Sequence, residues 1–296
     1  MKLEQLLEGV PYTLVQGSLE LDIEDIIYDS RKAAPGRLFV CIVGTQRDSH
    51  DYAAQCAAEG VTALVVQHDI DLSAVPGVTV LKVESSRYAL ALMSGNLFGN
   101  PSRRMTMIGV TGTKGKTTTT HMIKSVLEAA GRKVGMIGTN GIYYMGRHKD
   151  TANTTPESYE LQKTFREFLD AGCDTALMEV SSQGLMMDRV AGVHYDVGVF
   201  TNLSPDHIGP INQQIKALCE ERGLYYLDLN AEFSDENGYL LTDYAQPDGI
   251  HLTVSGYNKW VSYLCTHTPY SKNNPYQPGS TYYLSEEMQS QLADLP

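Results

Sequence analysis

From residue 38 onward, short apolar runs alternate with segments whose apolar positions recur at helical spacing. RLFVCIV predicts a strand, HDYAAQCAAEG a helix, TALVVQ and VTVLKV two strands, and SRYALALMSGNLFG a second helix. Asn100-Pro101 then closes this series, because proline keeps the residue before it out of right-handed helical geometry. The second series reads RMTMIGVTG (strand), GKTTTTHMIKSVLEAAG (helix), KVGMIGT (strand), SYELQKTFREFLDAG (helix), then TALMEVS and YDVGVFTN (strands). Its strands are almost continuously apolar, which is what a parallel sheet buried on both faces demands. The rhythm predicts α/β layers, with a small first domain over 1-100 and a parallel-sheet domain over 101-210. Past residue 210, a helix at 211-222 and a strand at 224-229 have the lengths to extend that sheet by a βαβ unit with strand 195-201. Leu252 to Leu264 predicts a further helix with Tyr257, Trp260, Val261 and Leu264 on one face, and 268-296 reads as a loosely ordered tail.

Charge narrows the function classes. Over 296 residues the net charge is −12, so a general grip on nucleic acid through phosphate neutralisation is not expected. Up to residue 210 there are 19 basic and 24 acidic side chains, and after it 4 and 11, which marks a shift in composition. The start, MKLEQLLEGV, has acidic residues where a signal peptide needs basic ones, and 18 apolar residues never run together. The expectation is a cytoplasmic chain without membrane contact; oligomeric state is not legible. Cys41, Cys56, Cys173, Cys219 and Cys265 form no CxxC pair and predict reduced, buried thiols.

The stretch MIGVTGTKGKTTTTHMI carries the clearest chemistry. A strand enters a glycine-rich turn and leaves as a helix, which aims backbone N–H groups and a helix N-terminus at a phosphate. Gly112 and Gly115 free the backbone to approach it, Lys116 reaches the terminal phosphates, and Thr117 offers a hydroxyl to Mg²⁺. The first glycine, Gly109, stands one position earlier than in the strict phosphate-loop spacing. Glu179, ending an apolar strand, is a carboxylate that calls for a cation partner.

The run GVTGTKGKTTTT resembles the ATP loop of the Mur ligases, and DSRKAAPGRLFVCIVGTQRDSHDY, NTTPES, MEVSSQGLMMDRV and FTNLSPDHIG resemble further motifs of that family in the same order. The resemblance covers residues 1 to about 210 and points to members that add an amino acid to UDP-N-acetylmuramoyl-L-alanyl-D-glutamate. It implies ATP bound by Gly112, Thr113, Lys114, Gly115, Lys116, Thr117 and Thr118. It implies Mg²⁺ held by Thr117, Glu179 and His207, with Lys116, Glu179 and His207 serving catalysis. Ser30, Arg31, Thr154, Thr155, Ser182 and Arg189 would bind the UDP-N-acetylmuramoyl-dipeptide, and an amino acid would be the second small-molecule substrate. The reaction implied phosphorylates a substrate carboxylate and lets an amine displace phosphate from the acyl phosphate.

Beyond residue 210 the family's carbamylated lysine and C-terminal domain have no recognisable counterpart. Residues 211-267 instead resemble the C-terminal end of GDSL (SGNH) hydrolases, with Asp248 and His251 matching their DxxH pair but no serine nucleophile block. Three readings follow: a Mur-type ligase homologue lacking its third domain, a non-catalytic module that binds nucleotide or UDP-sugar-peptide, and an esterase fragment without its serine.

Overall fold

The computed structural model describes residues 1–44, 47–201, 232–235, 240–245 and 252–267; for residue 261 and residues 264–267 the backbone alone is described. The described chain divides into two compact units, Met1–Gly112 with Lys116–Gly198, and Thr113–Gly115 with Val199 onward. The first unit holds two sheets.

The first sheet contains β1 (Thr13–Gln16), β2 (Asp25–Ile27), β3 (Arg37–Val40), β4 (Ala63–Val66) and β5 (Thr79–Lys82), in the order β1-β5-β4-β3-β2. β2 to β5 are parallel, and β1 joins β5 antiparallel. Alternation explains its two hydrophobic layers. Leu38, Val40, Ala63, Val65 and Leu81 face one cluster, shared with α1 (Leu3–Leu6) and α3 (Ser86–Leu97). Phe39, Cys41, Leu64, Val66 and Val80 face the other, shared with α2 (Ala53–Ala58). Cys41, Cys56 and Cys173 are buried free thiols, as expected.

After α3 the chain turns at Asn100, whose φ of 49° is left-handed, and Pro101–Arg104 forms a short 3₁₀ turn. The second sheet then assembles β6 (Thr106–Thr111), β7 (Val134–Gly138), β8 (Gly141–Tyr144), β9 (Arg147–Lys149), β10 (Thr175–Val180) and β11 (Val197–Phe200), ordered β11-β6-β10-β7-β8-β9. β10 lies between β6 and β7, parallel to both, and each of its residues is buried. Ala176, Met178 and Val180 point to the cluster covered by α5 (Ser158–Asp170). By parity Leu177 and Glu179 point to the opposite face, which α4 (Lys116–Ala129) covers. A short helix, α6 (Ser182–Met186), follows β10.

In the second unit α7 (Val254–His267) buries Trp260 and Tyr263. Its buried face therefore includes Tyr263, which the helical-face reading omitted. The expected helix 211–222, strand 224–229 and tail 268–296 lie outside the described residues, as do His207, Asp248 and His251.

Candidate active site

In open parallel sheets, ligands bind beyond the carboxyl ends of the strands. Glu179 is the penultimate residue of β10, and it pairs in register with Val110, two residues before Gly112. The chain leaving β6 passes through Gly112 (φ 139°), and Gly115 (φ 80°) precedes α4; both are backbone states that L side chains seldom adopt. The Lys116 ammonium turns back and donates to the Gly112 carbonyl at 2.7 Å. Thr120 anchors the first turn of α4 by donating to the carbonyls of Lys116 and Thr117 at 3.0 and 2.8 Å.

Glu179 is 1% exposed. The Thr117 hydroxyl donates to its Oε2 at 2.9 Å, the Thr139 hydroxyl to the same oxygen at 3.1 Å, and the Thr139 N–H to Oε1 at 3.0 Å. Gly138 makes room for this carboxylate, since a Cβ there would stand 2.2 Å from Oε1. All three of these donors are neutral. A carboxylate beside a threonine hydroxyl is a donor set that suits a hard divalent cation such as Mg²⁺.

The NTT segment splits into two roles. Thr154 Oγ1 lies 3.0 Å from Thr139 Oγ1, which ties it to the Glu179 cluster. Thr155 is fully buried; its hydroxyl donates to the Glu179 carbonyl at 3.0 Å and accepts from the Ser181 N–H at 2.9 Å. Both of these bonds go to the backbone, and through them Thr155 pins the end of β10 to the start of α6. Ser182 is exposed on the first turn of α6.

Arg189 donates from one terminal nitrogen to the Thr155 carbonyl at 3.0 Å. Its Nε stands 2.7 Å from Glu157 Oε1, an ion pair whose N–H is not aligned for a hydrogen bond. Ser30 and Arg31 sit in a 3₁₀ turn after β2, at the first sheet. There Arg31 forms a two-pronged pair with Asp29 at 2.9 and 2.7 Å, which holds the Asp29 carboxyl down to about 2. Thr113, Lys114 and Gly115 form the turn itself; the Lys114 carbonyl accepts from the Thr201 hydroxyl at 2.7 Å. Thr118 follows, half-buried, in α4. Thr139 is the residue that sequence reasoning passed over; its one signal was its place directly after the apolar strand KVGMIG.

Strand, glycine turn, lysine-bearing helix and a neighbouring strand ending in a buried acid define the class: an α/β fold with a loop of the phosphate-loop type. The description "Mur ligase middle domain" matches residues 110–223. A UDP-N-acetylmuramoyl-L-alanyl-D-glutamate--2,6-diaminopimelate ligase of Clostridium perfringens is 44% identical over 208 residues, 70% of this chain and 43% of the relative. The ligase of that name from Alkaliphilus metalliredigens is 43% identical over 268 residues, 89% of this chain and 54% of its own. A solved structure bearing the same ligase name shares the fold, with a TM-score of 0.59 at 22% identity over 70% of this chain and 41% of that one. Over the matched portion the chain is similar to Mur ligases. It spans about half the length of the curated relatives it matches. The family match ends at residue 223 and the longer alignment takes in 89% of the chain, so likeness to the ligases runs past the expected stop near residue 210.

Proposed function

We propose that this chain carries the nucleotide-binding and UDP-substrate-binding parts of an ATP-dependent amide ligase of peptidoglycan precursor synthesis. The observation that carries this reading is Glu179, a buried carboxylate hydrogen-bonded to the helix that bears Lys116. Residues 1-100 would form the UDP-substrate domain, and 101-210 the ATP domain. In the reaction, an oxygen of the substrate carboxylate attacks the γ-phosphorus of ATP and ADP leaves. An amine then attacks the acyl carbon, inorganic phosphate departs, and the amine loses a proton as the amide forms. Lys116 would neutralise the terminal phosphates, while Thr117 and Glu179, with His207, would hold magnesium, which supplies charge neutralisation when bound. Thr154, Ser182 and Arg189 would face the muramoyl-dipeptide, and Ser30 and Arg31 its uridine diphosphate end. The relatives' names make UDP-N-acetylmuramoyl-L-alanyl-D-glutamate and 2,6-diaminopimelate the substrates to test.

Calorimetric titration of the full chain with ATP tests the reading. Heat that requires Mg²⁺ is expected, with affinity lowered about 10-fold or more in Lys116→Ala, the loss of one charge-assisted contact. Equal binding by the variant and the parent chain, or none by either, would end the proposal. ADP release with both substrates present separates a turning-over ligase from a binding module.

A further inference from the structure

Thr139 touches the acid and the substrate loop at once. Its hydroxyl lies 3.1 Å from Glu179 Oε2 and 3.0 Å from Thr154 Oγ1. A hydroxyl carries one proton, and an ionised carboxylate only accepts. With the Thr139 proton directed at Glu179, the bond to Thr154 must be donated by Thr154. In this state Thr154 spends its own proton inward and offers a ligand only lone pairs. A cation on Glu179 competes for the Oε2 lone pairs that the Thr117 and Thr139 hydroxyls share, and the Thr139 bond is the longer of the two. Among the described residues the Thr139 proton then has Thr154 Oγ1 as its remaining neighbour, and the Thr154 proton is released for an outside acceptor.

We propose that Thr139 is a positioning residue that couples the two ligand sites. Charge on Glu179 sets the direction of the Thr139–Thr154 hydrogen bond, so a magnesium nucleotide turns Thr154 into a donor toward an oxygen of the UDP-muramoyl-dipeptide. No atom moves far; one proton on each of two hydroxyls changes partner. The inference rests on the function proposed above and adds a residue and a linkage to it.

The test is calorimetry on the full chain, titrating UDP-N-acetylmuramoyl-L-alanyl-D-glutamate with and without Mg²⁺ and a non-hydrolysable ATP analogue. The readout is the ratio of the two affinities, which cancels any general weakening of either site. About fivefold tighter binding or more is expected when the nucleotide is present, in the ordinary range of coupling between sites. In Thr139→Val, which keeps the N–H and the branched shape but lacks the hydroxyl, the ratio should fall to within about twofold of unity. Thr139→Ser restores the hydroxyl and should restore the ratio. A valine variant that keeps the full enhancement overturns the coupling role, as does a parent chain that binds both ligands with no enhancement. A parent chain that takes up no magnesium nucleotide overturns the proposed function and this inference with it.

Discussion

Thr155 shows how much one hydroxyl can hold in place. It lies beneath the candidate site with its oxygen between the Glu179 carbonyl and the Ser181 N–H, where β10 ends and the chain turns into α6. Replacing it with valine keeps the volume and removes both bonds, leaving a buried carbonyl and a half-buried N–H to find other partners. A buried polar group left unpaired costs about 1–3 kcal/mol. Thr155→Val should therefore lower the unfolding free energy by an amount in that range, read in urea titrations as a lower midpoint without a change in slope. It should also disturb Arg189, which donates to the Thr155 carbonyl. Thr154→Val, by contrast, removes a half-buried hydroxyl and should leave the unfolding free energy within about 0.5 kcal/mol. If the two substitutions cost the same, the division of labour between the paired threonines is wrong.

Secondary elements were legible where burial wrote them into the pattern. β3, β4, β6, β7 and β10 stand out as apolar runs because both faces of each are covered, and Glu179 stands out as the one charge in TALMEV. β9 had no such signal: Arg147–Lys149 is exposed throughout and pairs with β8 because Met145 (φ 47°) and Gly146 (φ 75°) close a tight hairpin turn. β1, mostly exposed, was silent for the same reason. Thr139 was silent because a lone threonine after a strand looks like any turn residue until the fold brings Glu179 beside it.

A contact between two further loops was equally invisible. Asp48, before the 3₁₀ turn Ser49–Tyr52, meets His50 and His68; its Oδ2 lies 2.8 Å from His68 Nε2, and the two imidazoles stack at 3.8 Å. The Gln67 N–H donates to His50 Nε2, so a neutral His50 carries its proton on Nδ1, toward Asp48. That proton occupies the nitrogen a metal would need, and the group reads as a hydrogen-bonded latch. His68 faces acceptors with both nitrogens, and its pKa rises above the ordinary 6.5, chiefly through the hydrogen bond to Asp48. A raised folded-state value means that the contribution of His68 is fully present below the unfolded pKa and fades as pH climbs through the folded one, whereas burial lowers the pKa of His50. His68→Gln should lower the melting temperature more at pH 5.5 than at pH 8.5, as scanning calorimetry would reveal. An equal loss at both pH values would remove His68 from the titration.

At the scale of the first unit, the question is how two sheets with separate cores act together. α3, from the first sheet, packs on α5, from the second, and Phe98 meets Tyr159 edge to face at 5.3 Å. Two tyrosines reach across in opposite directions: Tyr159 donates to Asp25 at 2.7 Å, and Tyr28 to Glu160 at 2.5 Å. Burial first, then the adjoining carboxylate, pushes both phenols far above their usual range, so each remains a donor at any physiological pH. Glu157 adds a bridge between Arg87 of α3 and Arg189 beside the candidate site, at 3.4 and 2.7 Å. A hydrogen bond to a charged group contributes about 1.5–3 kcal/mol, so two in this seam hold roughly 3–6 kcal/mol, comparable with the whole stability of a small domain. While they stand, opening one sheet without the other forfeits them, and both cores should exchange their amide hydrogens through a common global opening. Tyr28→Phe with Tyr159→Phe keeps the rings and removes both bonds. In native-state hydrogen exchange, the amides of β3 and β4 should then separate from those of β7 and β10 into two opening free energies. If the four strands still exchange together in the double variant, apolar packing of α3 on α5 holds the sheets together and the tyrosine hydroxyls are incidental to it.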